Sequence, residues 1–302
     1  MALTFPAHFQ ELRQRVEGGL LRLLDDEESR VRGERGRIAA AMRTALAAPA
    51  KRLRPLAALV AGTAFGSAPE RILPFAMAVE LVHTASLVLD DLPCMDDAPV
   101  RRGQPALHRR IGEADAILTA FALLSRAFSL AAEVPGAGGR DRELPGRLAS
   151  LLAGAAGARG MCEGQSLDLA FDPRAGGGLR ELEAIHRRKT GALFAAALEG
   201  GGLLGGATPA ELEALLRYGK NLGLAFQVMD DLLDACGDAR RTGKEPGADR
   251  GRRLTFVSLC GDDEVRELHS ALHRAARSAL EPLGGRARSL VELSELLEAR
   301  DA

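Results

Sequence analysis

The stretch from Ile72 to Leu92 is apolar on nearly every face of a helix. A helix without a polar face has to be surrounded, either by other helices or by lipid. Lipid is the poorer choice, because the longest run free of charged residues, Pro55 to Pro69, is only 15 residues and contains Pro and Gly. A helical bilayer span needs roughly 20 residues. The rest of the chain supplies the alternative. Helical spacing of apolar residues is seen from His8 to about Ala48, and then over Pro55–Phe65, Glu113–Ala132, Leu144–Ala158, Leu179–Leu204 and Pro209–Ala235. Ala, Leu, Arg and Glu dominate and β-branched runs are scarce. The breaks at Pro135–Gly139, Asp172–Gly178 and Gly237–Gly251 are rich in Gly and Pro, but none is long enough for an interdomain linker. The expectation is one all-α domain over residues 1–302, a helical bundle, with the 237–251 loop as a candidate lid.

Composition removes several functions. Forty basic and 41 acidic side chains leave a net charge of −1, so no global field recruits nucleic acid or an acidic membrane. Aromatic residues make up 4%, with no Trp and a single Tyr, Tyr218, which argues against a base-stacking platform. The cysteines Cys94, Cys162, Cys236 and Cys260 form no CxxC pair. Charges occur by residue 15 with no signal segment. A reducing cytoplasm is therefore expected.

Chemistry enters at two acidic clusters. The apolar segment ends on Asp90-Asp91-Leu92-Pro93-Cys94-Met95-Asp96-Asp97. Four carboxylates at a helix C-terminus oppose the helix dipole, and Pro93 bends the chain out of the helix there. The second cluster, Asp230-Asp231-Leu232-Leu233-Asp234, puts Asp230 and Asp234 on one helical face, where like charges repel unless a cation lies between them. Oxygen ligands without nearby Cys or His point to Mg²⁺, which completes its shell with water and substrate phosphates. Two such clusters on buried helices predict a cavity that holds a diphosphate.

The basic residues agree. Only four of the 40 are Lys: Lys51, Lys189, Lys220 and Lys244. A compact ammonium in an otherwise Arg-rich chain suits a phosphate in a tight space. Lys51 and Arg54 precede an apolar helix, and Arg101 and Arg102 follow the first acidic cluster. His83 stands two turns before Asp90 on nearly the same face. Lys189 and Thr190 follow His186, and Lys244 lies in the Gly-rich loop.

Six ordered blocks of these residues resemble the trans-isoprenyl diphosphate synthase (polyprenyl synthetase) family. They are Lys51-Arg52-Leu53-Arg54-Pro55; Glu80 through Asp96; Arg101-Arg102-Gly103-Gln104-Pro105 with His108; Gly160-Met161-Cys162-Glu163-Gly164-Gln165 with Asp168; His186 with Lys189-Thr190-Gly191; and Phe226-Gln227 through Asp234. Leu89, Ala120-Phe121 and Leu123-Leu124-Ser125 are similar to bacterial carotenoid-pathway geranylgeranyl diphosphate synthases. The resemblance implies a homodimeric all-α enzyme that condenses isopentenyl diphosphate with an allylic diphosphate. It implies that Asp90, Asp91, Asp96, Asp230 and Asp234 hold three Mg²⁺ on the allylic diphosphate. Arg101, Lys189, Thr190, Gln227 and Lys244 would stand on that same side, and Lys51, Arg54, His83 and Arg102 would bind isopentenyl diphosphate. Short-chain members often carry an aromatic plug where this chain has Ala85. With Ala85 and Ser86 both small, and Phe121 as candidate floor, a twenty-carbon product is expected, with fifteen carbons as the alternative. A class I terpene cyclase is the less favoured reading, because cyclases line the cavity with aromatic residues. A non-catalytic partner subunit is disfavoured because both acidic clusters are intact.

Overall fold

The structure, a computed structural model, describes residues 6–30, 36–134, 142–171, 178–235 and 255–299. The candidate lid, Lys244, Cys236 and the Pro135–Gly139 break lie outside them, as does the side chain of Asp234. The described helices are α1 (Ala7–Arg30), α2 (Arg37–Ala47), α3 (Leu53–Ala64), α4 (Pro69–Asp90), α5 (Leu107–Ile111), α6 (Glu113–Glu133) and α7 (Leu144–Ala156). They continue with α8 (Met161–Ala170), α9 (Leu179–His186), α10 (Ala192–Gly205), α11 (Pro209–Ala235), α12 (Phe256–Cys260), α13 (Asp262–Ala279) and α14 (Arg288–Ala299). The all-α expectation holds.

α4 is the hub. Its residues are buried on all sides, from Ile72 and Phe75 to Ala85 and Val88, and it packs on α1, α3, α6 and α10. This is the outcome that uniform apolarity demands. Small residues allow close approach where helices cross. A Cβ on Gly201 of α10 would meet the Ala58 carbonyl oxygen of α3 at 2.2 Å, so this crossing needs glycine. The C-terminal helices close the other flank. The hydroxyl of Tyr218 in α11 donates to the Leu290 carbonyl at 2.7 Å. Phe256, Val265 and Leu272 pack on Leu224, Val228 and Met229.

Two local features depart from the sequence reading. The segment from Leu179 to Leu204 is not one uninterrupted α-helix, because residues Arg187–Gly191 form a π-helical turn between α9 and α10. The acidic loop after α4 is followed by a small hairpin, β1 (Val100–Arg101) and β2 (Gln104–Pro105), with Arg101 paired to Gln104. Arg102 and Gly103 at its tip have φ of +54° and +74°. That is the positive-φ pair of a two-residue hairpin turn.

Candidate active site

Pro93 takes the chain out of α4, and the following loop folds back over the helix end. The Asp96 N–H donates to the Asp90 carbonyl at 2.9 Å, and the Ala98 N–H donates to that of Asp91 at 3.2 Å. This return brings Asp96 to Asp90. Burial pushes the Asp90 carboxyl up to about 6; Lys189 pulls it down, while Asp96 pushes it further up. Asp91 is only 2% exposed and is tied down by Arg101, whose Nε donates to its Oδ1 at 2.8 Å. Burial raises the Asp91 carboxyl and this hydrogen bond opposes the rise. Asp97 points away, to exposed Arg109 at 2.7 Å.

On the facing helix, Asp230 and Asp231 have separate tasks. Asp231 is buried. Its Oδ1 accepts from Gln227 Nε2 at 3.0 Å and its Oδ2 from the Phe256 N–H at 2.9 Å. Gln227 in turn accepts from the Thr190 hydroxyl at 3.1 Å. Thr190, Gln227 and Asp231 thus form one hydrogen-bonded chain joining the π turn, α11 and α12. Asp230 is the member of the pair that Arg54 senses electrostatically. Lys189 leaves the π turn toward Asp168 of α8, at 2.6 Å. The approach of α8 to that turn requires Gly164, where a Cβ would fall 2.3 Å from the Lys189 nitrogen.

A second group gathers at the start of α3. Arg54 Nη1 lies 3.2 Å from His83 Nε2. A guanidinium can only donate, so Nε2 accepts and the ring proton sits on Nδ1. Burial, then the charges of Arg54 and Arg102, hold the His83 pKa well below its ordinary value. His83 therefore offers a neutral N–H donor near pH 7 and no charge. Arg54 stacks over Phe194, with Cζ 4.6 Å from the ring centroid, and its buried Nε has no hydrogen-bond partner. Burial lowers the Arg54 pKa to about 10, with Glu80 and Asp230 opposing, which leaves it charged at neutral pH. Lys51 is exposed.

Arg52 takes a structural part. It is 3% exposed, adopts φ +53° as the N-cap of α3, and is held by Glu17 at 2.9 Å, by Glu80 and by the Leu46 carbonyl. Glu80, 1% exposed, also faces Arg102 at 4.0 Å. The local sequence carries no signal for the Arg52–Glu80 tether or for Asp168 as the partner of Lys189, because both join residues distant in the chain.

The product-length residues fall unevenly. Ala85 is fully buried, and Ser86 turns its hydroxyl back to the His83 carbonyl at 2.9 Å. Phe121 is corrected: it is neither floor nor core of its own chain, being 72% exposed. The α6 face buried toward the core carries Ala116, Ala120, Leu123 and Ala127 instead.

Among the described residues, no three carboxylate, imidazole or thiol groups converge as a ready-made metal cage. The donors still fit Mg²⁺, which keeps waters and takes phosphate oxygens, so one or two carboxylates from each wall suffice. Burial disfavours the ionised form of Asp90, a cost that a bound cation would offset.

Taken together, the fold and site define a helical bundle in which acidic residues of α4 and α11 are interleaved with Arg54, Arg101 and Lys189. Residues 36–261 match the polyprenyl synthetase family. The chain is 38% identical to a farnesyl diphosphate synthase of Haemophilus influenzae, over 94% of this chain and 97% of that protein. It is 36% identical to a chloroplastic geranylgeranyl pyrophosphate synthase of Catharanthus roseus, over 86% of this chain and 73% of that protein. The fold is similar to that of a geranyltransferase from Helicobacter pylori complexed with magnesium and isoprenyl diphosphate, with TM-score 0.82 and 28% identity over 99% of both chains. The chain belongs to the polyprenyl synthetase family and is a prenyltransferase.

Proposed function

We propose that this single-domain enzyme joins isopentenyl diphosphate to dimethylallyl, geranyl and farnesyl diphosphates and releases geranylgeranyl diphosphate. The observation that carries this reading is Arg54. It is half-buried, its buried Nε has no hydrogen-bond partner, and it is set between aromatic faces and His83. A cation held in this way needs an anion, and Asp90 and Asp230 stand near enough to act on the surrounding basic groups.

In this reading Asp90, Asp91, Asp96, Asp230 and Asp234 would hold three Mg²⁺, which would supply positive charge against the allylic diphosphate. Lys189, oriented by Asp168, Arg101 and Lys244 meet the same diphosphate. Thr190 and Gln227, joined by their hydrogen bond, would stand beside it. Lys51, Arg54, Arg102 and the neutral His83 hold isopentenyl diphosphate. The allylic carbon–oxygen bond breaks, the C3–C4 double bond of isopentenyl diphosphate attacks the carbon released, and the proton lost passes to the departing diphosphate. The chain's own work is to position the two substrates, to supply preorganised positive charge and to exclude water.

Ala85, with Ala116, Ala120 and Ala127 on the facing helix, supports a cavity that admits twenty carbons. The likeness to the Haemophilus influenzae farnesyl diphosphate synthase favours a fifteen-carbon second reading. Incubating the protein with labelled isopentenyl diphosphate, Mg²⁺ and each allylic substrate, then sizing the dephosphorylated alcohols, decides between them. Twenty carbons supports the first reading, fifteen the second, and no elongation overturns both. Ala85→Phe is expected to shorten the wild-type product by at least one five-carbon unit. An unchanged product moves the floor elsewhere.

We also infer a homodimer built on α6, working in the cytoplasm. Ile117, Leu118 and Phe121 are 47%, 54% and 72% exposed and lie within two turns of one helix. A contiguous apolar face of this kind is the mark of an interface. Cys94 and Cys162 are free and exposed, which suits a reducing compartment. Phe121→Asp is expected to shift the mass measured by light scattering from dimer to monomer; a dimer that survives the change rules this face out.

A further inference from the structure

α4 turns a second face to a cavity. His83, Ser86 and Asp90 look toward the site described above. Thr84, Leu87, Val88 and Asp91 line a separate cavity of about 330 Å³ against α2, the hairpin and α5. That is the lower end of small-molecule pocket sizes. One step along a helix turns the side chain by about 100°, so the two faces are adjacent but distinct. Neither Lys51, Arg54 nor His83 borders this cavity.

Its lining is strongly basic. Arg43, Arg101, Arg102 and Arg110 border it with one carboxylate, Asp91. Arg43 is engaged by Asp25 and Glu28, each at 2.6 Å, and Arg101 by Asp91. Arg102 has Glu80 only at 4.0 Å. At the floor, Thr84 is 2% exposed and its buried hydroxyl has no hydrogen-bond partner. An unpaired buried hydroxyl is costly, and beneath a ring of guanidiniums an anion's oxygen is the group that satisfies it. The rest of the lining is mostly apolar, with Pro49, Val88 and Leu107, and adds the polar Thr44 and Gln104.

From this arrangement we propose a second anion site that takes a phosphate or diphosphate carrying a short apolar group. An occupant draws on Arg101 and Arg102, which border both faces of α4, and so slows turnover at high concentration. The choice of probes rests on the function proposed above.

The test is calorimetric titration of the full-length protein with geranyl diphosphate and with inorganic diphosphate, in EDTA so that the carboxylate clusters hold no metal. Two classes of site per chain are expected for geranyl diphosphate. Arg110→Ala and Thr84→Val should each weaken one class about tenfold, the loss of one charge-assisted hydrogen bond, and leave the other class unchanged. Thr84→Val keeps the side-chain shape and removes an unpaired hydroxyl, so its melting temperature should hold or rise. Both variants should keep kcat/KM at low substrate and lose inhibition at high geranyl diphosphate. Inorganic diphosphate displacing ligand from the sensitive class identifies the head group as the ligand; geranyl diphosphate acting alone shows that the apolar wall is needed too. A single class of site, or two classes both indifferent to Arg110→Ala and Thr84→Val, overturns the proposal. Wild-type turnover reports on the main reaction separately, so the two readings can fail independently.

Discussion

Asp90→Asn is expected to raise the melting temperature of the metal-free protein near pH 7.5 while lowering turnover by at least about a hundredfold, the scale of losing one preorganised charge contact. The two effects share a cause. Burial lifts the Asp90 carboxyl to about 6, from an unfolded value of 3.8. A carboxyl shifted upward favours the fold when protonated. Its contribution is complete below about pH 4 and is lost as the pH rises through 6. Above that, the ionised group costs the free protein on the order of 3 kcal/mol. Asparagine removes that cost together with the charge the proposed reaction draws on. The gain should shrink toward zero near pH 4, where the wild-type carboxyl is protonated as well. Calorimetric melting in EDTA at pH 4, 6 and 7.5, with turnover measured in parallel, checks it. An equal gain at every pH would sink the electrostatic account, as would near-normal turnover.

Glu80→Ala is expected to cost about 3 kcal/mol of stability, the scale of stripping one partner from a buried ion pair. Glu80 and Arg52 are both almost fully enclosed, and Arg52 has its backbone in the left-handed region, which costs a non-glycine residue roughly 1–2 kcal/mol. Glu80 is one of the contacts that hold it there. Denaturant unfolding measures the loss. The double variant Arg52→Met with Glu80→Met separates packing from positioning. Apolar replacement of a buried pair is often neutral or better for stability, so most of the loss should be recovered. The KM for isopentenyl diphosphate should stay raised, because Arg102 loses its buried carboxylate and the Lys51–Arg54 corner loses its tether to Leu46. Recovery of both stability and KM would show that the pair serves packing alone.

These residues mark how far the sequence could be read. α4 was legible because apolarity on every face has one solution in a bundle, and its end was legible because Pro93 and four aspartates stop a helix. The carboxylates and the basic groups were legible as chemistry, since like charges at helical spacing require a counter-charge. Their division of labour was not. Asp230 and Asp231 are neighbours of identical type, and only the arrival of the Phe256 N–H commits Asp231 to holding α12. Arg52 and Arg54 are two residues apart in one basic run. One is spent on Glu17 and Glu80 and the other meets His83 and Phe194, a choice made by helices distant in sequence. Phe121 was misread because helical periodicity separates apolar from polar faces but cannot say which apolar face meets its own chain.

The π-helical turn at Arg187–Gly191 has a consequence for sequence register. Such a turn is an α-helix with one residue too many. Removing any one residue there would let α9 and α10 merge into a continuous rod. It would also rotate everything on one side of the join by about 100° relative to the other. The rod would then have to choose between the packing of Phe194 and Leu198 in the core and the reach of Lys189 to Asp168. The extra residue lets one helical segment keep both alignments, so insertions and deletions at this point are far less tolerable than substitutions.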